Sequence, residues 1–171
     1  MDVLSTIKKR RSVRTFLQRD VEEHKLKTIL EYMTLAPSAG NLQAYEIVVV
    51  KDKKLMRELS EAAFDQDFIY AAPIAIVIFA NPERSSWRYG ERGKKLYSIQ
   101  DATIAGAYLQ LVTVHLDLAT CWVGAFNDNL VKKILKVPDT WQPIAIFPVG
   151  YPAENPTPPK RRRIEDIVHF V

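Results

Sequence analysis

The stretch RRSVRTF, residues 10–16, places three arginines and a serine within five residues. Three cations this close together repel one another, so their crowding favours an anion bound among them. A guanidinium group binds phosphate oxygens two at a time, and Ser12 adds a hydroxyl donor at the same place. A solvated basic helix end is the alternative interpretation of this stretch taken alone.

A second basic cluster lies near the other end of the chain, where Lys160 is followed by Arg161, Arg162 and Arg163. The formal net charge is +4, and it gathers at these two places instead of being scattered. The two clusters could meet around one phosphate group, or they could form a nucleic-acid-binding surface. The charge pattern alone leaves both interpretations open.

The composition is that of an ordinary globular protein, with 47% hydrophobic and 26% charged residues. A chain of 171 residues is long enough for one domain, residues 1–171, with a sizeable core. No apolar run reaches the roughly 18 residues that a membrane helix needs, and the N-terminal charges follow the apolar residues, the reverse of a secretory signal. Cys121 is the one cysteine, which suits a reducing compartment. We therefore expect a cytoplasmic protein that does not act at a membrane.

The hydrophobic pattern alternates between helical and strand periods, which predicts helices packed on a sheet. The strand at 73–80 is apolar throughout and should be buried on both faces, and the long helix is apolar on nearly all sides. Helices are predicted over residues 3–10 with Asp2 as cap, 22–35 with Asp20 as cap, 52–64 with Asp52 as cap, 97–118, and from a cap at Asn127 or Asp128 to 135; strands are predicted over 45–51, 73–80, 119–126 and 143–150.

Two segments have no regular period. Residues 81–95 are polar and are predicted to form a long surface loop, a kind of segment that is often functional. Residues 151–163 contain four prolines, so we expect an extended arm that carries the second basic cluster away from the sheet. Together the elements predict an α/β or α+β fold, a layered sandwich of helices on a sheet whose strands the pattern leaves either parallel or antiparallel.

The common catalytic motifs are absent. No GxGxxG follows a strand, no GxSxG is present, and Gly90, Gly93 and Lys94 have the wrong spacing for a P-loop. The three histidines are too scattered to predict a zinc site, and the pattern around Cys121 predicts a packed core thiol. What remains is a non-covalent cofactor held by arginines, small polar side chains and backbone amides.

Four blocks of the sequence, taken in order and spacing, resemble the flavin-dependent nitroreductase family over about residues 7–170. They are RRSVRTF at 10–16, APSAGNLQAYEIVVV at 36–50, LATCWVGAF at 118–126 and PPKRRRIEDIVHF at 158–170. The resemblance implies a nitroreductase-like α/β sandwich, with a mixed or antiparallel central sheet flanked by helices and a long buried helix. It also implies an intertwined homodimer that binds FMN (flavin mononucleotide) at the subunit interface.

The resemblance implies a role for each basic residue of the site. Arg10, Arg11 and Ser12 are expected to hold the FMN phosphate and ribityl chain, and Lys160 and Arg161 match the family's C-terminal basic pair at the same phosphate. An FMN phosphate is close to a dianion at neutral pH, so several cations suit it better than one.

The resemblance also places residues around the flavin ring. Arg14 stands where the family has a basic residue near the pyrimidine edge, and Gly124 and Ala125 stand where backbone N–H groups point at flavin N5 and O4. Gln66 is expected near the cofactor. The segment expected from the other subunit supplies Pro37, Ser38, Asn41 and Gln43.

The implied activity is transfer of hydride from NADH or NADPH, through FMN, to a small-molecule acceptor such as a nitroaromatic compound or a quinone, in a ping-pong cycle. The 81–95 segment would then be a lid over the flavin. Dehalogenation, flavin destruction or oxidation of a peptide ring on the same fold remain alternatives, as does a basic nucleic-acid-binding module without flavin.

Overall fold

One sheet of four strands organises the chain, whose residues 1–171 are all described by the computed structural model. The strands are β1 (Tyr45–Val50), β2 (Ile74–Ala80), β3 (Ala119–Thr120) and β4 (Gln142–Gly150). Their order across the sheet is β1-β2-β4-β3, and every neighbouring pair is antiparallel. The family resemblance implied a mixed or antiparallel sheet, and the structure shows that it is antiparallel.

Helices cover both faces of this sheet, which confirms the predicted α+β sandwich. They are α1 (Val3–Lys9), α2 (Glu23–Met33), α3 (Lys53–Ala62), α4 (Phe68–Ala71), α5 (Pro82–Arg92), a π-helical segment (Gly93–Tyr97), α6 (Ser98–His115) and α7 (Asp128–Leu135), with 3₁₀ turns at Ala39–Asn41 and Ile164–Asp166.

The central strand β2 is buried along its whole length, as its apolar sequence predicts. Its side chains alternate between two cores. Ile76 and Ile78 pack with α2 and α6 on one face, while Val77 and Phe79 pack with α3, α4 and α7 on the other. None of the helices combines the length and the apolar character required to cross a membrane.

Most of the predicted helix caps are confirmed. The side chains of Asp2, Asp52 and Asn127 each accept a hydrogen bond from a backbone N–H in the first turn of α1, α3 and α7. The prediction that Asp20 caps the second helix was wrong. That helix begins at Glu23, too far along the chain for Asp20 to reach its first turn, and Glu22 provides no side-chain cap.

The prediction of a surface loop over residues 81–95 was wrong, because this segment is helical. Asn81 accepts a hydrogen bond from the N–H of Arg84 at 3.1 Å, and Pro82 occupies the first turn of α5. Gly93 lies so close to the Ser85 carbonyl that a side chain there would collide with it. Short-range caps and close packing thus form a helix that lacks a regular apolar stripe.

The prediction of a strand over 119–126 was wrong beyond Thr120. In the register of β3 and β4, Cys121 faces Pro148, which has no N–H to donate to the ladder. Pairing returns at Val123, which exchanges hydrogen bonds of 3.0 and 2.9 Å with Ile146. After Val123 the chain leaves the sheet edge, and this departure exposes Gly124 and Ala125.

The long helix α6 is central, as predicted. Ala102, Ala105 and Leu109 are fully buried against the sheet and α2. Its remaining face, which includes Tyr108, is exposed in the single chain. The intertwined homodimer that the family resemblance implies stays a prediction, and its second subunit would be free to cover this face.

Candidate functional site

The arginine stretch lies between strand β3 and the start of the proline-rich arm. Ser12 pairs with Thr120 as a parallel bridge, and the N–H of Val13 donates to the Thr120 carbonyl at 3.2 Å. Phe16 pairs with Pro152 in the opposite direction. Val13 and Phe16 are buried, whereas Ser12, Arg14 and Thr15 are exposed to solvent.

A carboxylate on the arm ties the two segments together. Glu154 accepts hydrogen bonds from the backbone N–H groups of Arg14 and Thr15, and the Ala153 N–H donates to the Thr15 carbonyl at 2.9 Å. Glu154 thus binds backbone and leaves the Arg14 guanidinium available. That guanidinium lies 5.7 Å from the centroid of the Phe68 ring.

One residue of the C-terminal basic cluster, Arg161, lies close enough to Arg10 to influence it electrostatically. The Arg10 side chain is half-buried, and its nearest polar neighbour is the amide oxygen of Gln110 at 3.4 Å. Burial lowers the pKa of Arg10, and the nearby charges of Arg161 and Arg11 lower it further. The C-terminal cluster therefore comes within electrostatic reach of the N-terminal one.

No carboxylate forms an ion pair with the basic side chains of this cluster, Arg10, Arg11, Arg14, Lys160 and Arg161. Arg11 instead turns back on α1, where it donates to the carbonyls of Lys8 and Arg10, each at 2.7 Å. Cations held together with no carboxylate paired to their side chains favour an anion from outside the chain.

Behind the arginines, Cys121 is buried and burial raises the pKa of its thiol. The prediction of a packed core thiol is confirmed. The positive charges of Arg14 and Arg10 act in the opposite direction and lower the pKa of the same thiol, so both arginines lie near Cys121 at the edge of the sheet.

Gly124 and Ala125 present two unpaired donors beside this cluster. Both residues are exposed, and their backbone N–H groups donate to no acceptor in the chain. The carbonyl of Ala125 accepts from the amide of Gln66 at 3.2 Å, and the same amide donates to the Ala63 carbonyl at 2.8 Å. Gln66 therefore holds the exposed turn in place. Ligands commonly bind such turned-out backbone donors.

The segment with the remaining predicted residues forms a tight loop. Gly40, Asn41 and Gln43 all have positive φ angles, of 56°, 56° and 49°. The Ser38 hydroxyl closes the loop by accepting a hydrogen bond from the Gln43 N–H at 3.0 Å. Non-glycine residues in this conformation concentrate at functional sites, and Pro37 stands at the entrance of the loop.

A buried carboxylate that the sequence analysis missed anchors this loop. Asp101 is 2% exposed, and it accepts hydrogen bonds from the N–H groups of Ala39 at 2.9 Å and Ala44 at 3.2 Å. The only acidic residue in the largely apolar helix α6 was the available signal. A cavity of about 500 Å³ opens beside the loop, and Pro37, Ser38, Asp101 and Ile104 are among its lining residues.

Helix α5 packs on the other side of this loop. Arg84 donates through Nε to the Leu42 carbonyl, and Arg88 approaches the Gly40 carbonyl at 3.5 Å. A side chain at Gly40 would collide with the hydroxyl of Tyr89. The segment expected to form a lid over the flavin is thus largely helical and rests on the loop.

The two groups of predicted residues lie apart in one chain. Asp101 anchors the loop near the start of α6, whereas Gln110, nine residues further on, contacts Arg10. At 1.5 Å per residue these two points are about 13 Å apart along the helix axis. One chain therefore brings together most of the predicted site residues, namely Arg10, Arg11, Ser12, Arg14, Gln66, Gly124, Ala125 and Arg161. It does not bring the loop residues Pro37, Ser38, Asn41 and Gln43 to the same place. Lys160 is exposed and makes no hydrogen bond or ion pair.

The sequence matches the model of the nitroreductase family over residues 7–66 and 62–151. The chain belongs to the nitroreductase family. It is 30% identical to an NADH dehydrogenase of Thermus thermophilus, over 98% of this chain and 95% of that protein. The fold is similar to an FMN-dependent nitroreductase of Clostridium difficile R20291, with a TM-score of 0.80, 32% identity and 98% of each chain covered. It is also similar to a nitroreductase family protein of Clostridium novyi NT, with a TM-score of 0.83, 32% identity, and coverage of 90% of this chain and 87% of that one.

The site suits the phosphate and ring of a flavin nucleotide on two independent observations. Its basic cluster has no carboxylate partner, and its exposed turn offers unpaired N–H groups. A multiply charged phosphate can bind the unpaired basic side chains, and the polar edge of a planar ring can accept hydrogen bonds from the exposed N–H groups.

Proposed function

We propose that residues 1–171 form a single FMN-binding domain that works as a cytoplasmic homodimer and reduces a small-molecule acceptor, such as a nitroaromatic compound or a quinone, with NADH or NADPH. The observation that carries the proposal is the basic cluster around Arg10, whose side chains form no ion pair with a carboxylate and which Arg161 approaches closely enough to influence electrostatically. When bound, FMN supplies reversible two-electron chemistry between the reduced nicotinamide and the acceptor, in a ping-pong cycle.

At the phosphate end, Arg10 and Arg161 supply the charge-assisted donors and the exposed Ser12 supplies a hydroxyl. Arg11 positions this end through its hydrogen bonds to the carbonyls of Lys8 and Arg10, which keep its guanidinium beside the cluster. Lys160 is exposed and precedes Arg161 in the chain, and we assign it the role of a further cation for the same phosphate. Charge-assisted bonds are roughly twice as strong as neutral ones, so several donors together give tight binding.

At the ring end, the chain supplies one cation and two backbone donors. Arg14 stabilises negative charge at the pyrimidine edge, and the N–H groups of Gly124 and Ala125 donate to the polar atoms on the opposite edge. Gln66 keeps the two N–H groups oriented through its bond to the Ala125 carbonyl. Donors held in place before the reaction stabilise developing charge without the cost of reorganisation.

The second subunit supplies the loop with Pro37, Ser38, Asn41 and Gln43. Its separation from Arg10 within one chain supports this division. The segment that follows the arm supports it too, because its large apolar side chains, such as Ile164 and Phe170, are 68% and 95% exposed and need a covering surface.

The decisive experiment is an absorbance spectrum of the purified protein, recorded before and after addition of FMN. We expect flavin bands that bleach under anaerobic conditions with NADH or NADPH and return when a nitroaromatic compound or a quinone is added. A protein that stays colourless with added FMN, and that binds DNA or RNA with a steep salt dependence, would support the nucleic-acid interpretation of the two basic clusters instead.

A halogenated aromatic acceptor belongs in the same series. Release of halide from it, with no turnover of the nitroaromatic compound or the quinone, would move the assignment to dehalogenation on the same fold. The bleaching step would be the same in both cases, so the flavin assignment would stand.

A further inference from the structure

Helix α5 carries a row of arginines that the proposed flavin site does not use. Arg84 and Arg88 are four residues apart and share one face of the helix, and Arg92 follows four residues later, beyond a kink at Gly90, whose φ is 54°. The segment from Pro82 to Tyr97 holds five cations and two carboxylates. One of the carboxylates, Glu91, pairs with Lys95 at 3.0 Å, and none of the three arginines forms an ion pair.

These arginines are oriented by contacts with the loop and the cavity. Arg84 is bound to the Leu42 carbonyl through Nε, and Arg88 lies over Gly40. Arg92 donates through Nε to the Tyr97 hydroxyl at 2.9 Å, and Tyr97 lines the cavity beside the loop. Each of these contacts uses part of a guanidinium fork, which leaves the other nitrogens available to a ligand.

The position of the row favours a phosphate at the far end of a long substrate. A nicotinamide ring at the loop would place the rest of its dinucleotide along the adjoining surface. NADPH differs from NADH only by a phosphate on the adenosine ribose, and arginine suits such a group because its donors match two phosphate oxygens. Trp87, which lies on the same helix, is 73% exposed and offers an apolar surface nearby.

We propose that Arg88 and Arg92 bind the 2′-phosphate of NADPH, with Arg84 holding the helix on the loop, and that the protein therefore prefers NADPH to NADH. This inference rests on the proposed function, because it takes the loop at residues 37–43 to be part of the flavin site. It adds a nucleotide preference that the flavin-binding residues do not provide.

The test compares two adenosine phosphates on the FMN-loaded protein by titration calorimetry. Adenosine 2′,5′-bisphosphate carries the 2′-phosphate, and 5′-AMP lacks it. We expect the bisphosphate to bind about tenfold to a hundredfold more tightly, the range expected for hydrogen bonds to a charged group. The double variant Arg88→Gln with Arg92→Gln should reduce that advantage to about twofold or less.

Arg57→Gln is the matched control, because Arg57 is an exposed arginine of α3 that stacks on Tyr70 at 4.7 Å, on the other side of the sheet. It should keep the wild-type preference. The ratio of kcat/KM for NADPH to that for NADH, measured on the same variants, should fall only when Arg88 and Arg92 are replaced. A wild-type protein that binds the two adenosine phosphates equally, or a double variant that keeps the preference, would overturn the inference.

The two proposals fail in different ways. A protein that takes up no FMN would refute the proposed function, and the same calorimetric comparison, run on the flavin-free protein, would still decide whether the arginines bind a 2′-phosphate. A flavoprotein that bleaches equally well with both nucleotides would keep the proposed function and remove the nucleotide preference.

Discussion

Among single residues, Asp101 has the greatest influence on the geometry of the candidate site. Its carboxylate is buried without a cation and accepts hydrogen bonds from the N–H groups of Ala39 and Ala44, the two ends of the loop. Burial, and then the charge of Asp101, raises the pKa of the neighbouring Tyr45 hydroxyl. A buried charge satisfied only by backbone donors is costly to disturb, so the loop geometry depends on it.

Replacement of Asp101 should therefore weaken both folding and flavin binding. Asp101→Asn keeps the shape but loses one charge-assisted bond, which predicts a loss of about 1.5–3 kcal/mol in the free energy of unfolding, and Asp101→Ala leaves both N–H groups unpaired and should lose more. Urea denaturation and fluorescence titration with FMN measure the two effects. Asp139→Asn, at a fully exposed carboxylate, is the control. Wild-type FMN affinity in Asp101→Asn would show that the loop does not need this anchor.

Glu22 gives a prediction about pH. Its carboxylate accepts from the Tyr151 hydroxyl at 2.8 and 2.9 Å and from Arg19 at 2.8 Å, and the hydrogen bond from Tyr151 is the main cause that lowers the pKa of Glu22 from 4.5 to about 2. Because the folded protein holds the ionised form, this contact stabilises the fold above pH 4.5 and loses its effect as the pH falls towards 2.

The urea midpoints of wild type and Glu22→Gln should therefore differ most near neutral pH and converge on acidification. Glu61→Gln replaces an exposed glutamate of α3 whose side chain makes no hydrogen bond or ion pair, so its midpoint should follow wild type at every pH. A difference between wild type and Glu22→Gln that grows below pH 4.5 would reverse the assigned sign.

At the scale of elements, helix α5 is capped by Asn81 at its start and packs on the loop at residues 37–43. Asn81 accepts from the Arg84 N–H at 3.1 Å, and its amide donates to Glu46 on β1 at 2.8 Å. Asp52 caps α3 in the same way, by accepting from the Leu55 N–H at 2.9 Å. The two caps provide a matched pair, because only one of them belongs to a helix that touches the candidate site.

Asn81→Ala and Asp52→Ala should each cost about 0.5–2 kcal/mol in the free energy of unfolding, the usual effect of a lost cap. Only Asn81→Ala should also weaken nucleotide binding, since a frayed first turn moves Arg84 away from the Leu42 carbonyl. Thermal unfolding and titration with adenosine 2′,5′-bisphosphate distinguish the two effects. Equal loss of nucleotide binding in both variants would mean that stability, and not the position of α5, is responsible.

The element scale also shows what the sequence could predict. The apolar run of β2 and the caps at Asp2 and Asp52 are local patterns, and all were predicted. Helix α5 was missed because its first turn depends on Asn81 and its packing on a close approach of Gly93 to Ser85, neither of which produces an apolar period. Glu154 and Asp101 were missed because their partners are backbone groups far away in the sequence, 140 and 62 residues from Arg14 and Ala39.

At the scale of the whole molecule, the candidate site is divided in two. The group around Arg10 and the group around Asn41 lie at different positions along α6, and the arm beyond Glu154 runs exposed to the C-terminus. Two copies related by a two-fold axis would bring each group of one copy to the other group of its partner, which gives two equivalent sites per dimer.

A mixing experiment tests this division. Arg14→Ala removes a residue of the first group, and Asn41→Ala removes one of the second, so each variant alone should bind FMN weakly. If the two groups come from different subunits, unfolding and refolding of an equimolar mixture gives heterodimers in about half of the molecules, each with one intact site and one doubly altered site. The mixture should then recover about a quarter of the wild-type FMN sites.

Each variant refolded alone is the control for losses in the procedure, and a mixture of Arg14→Ala with Arg10→Ala is the matched negative control, because both changes fall in the same group. That second mixture should recover nothing, since every site it forms lacks Arg10 or Arg14. Fluorescence titration with FMN counts the sites in each sample. If the two mixtures bind FMN equally, both groups belong to a site within one chain. A site shared between subunits would instead recover FMN binding only in the mixture of Arg14→Ala with Asn41→Ala.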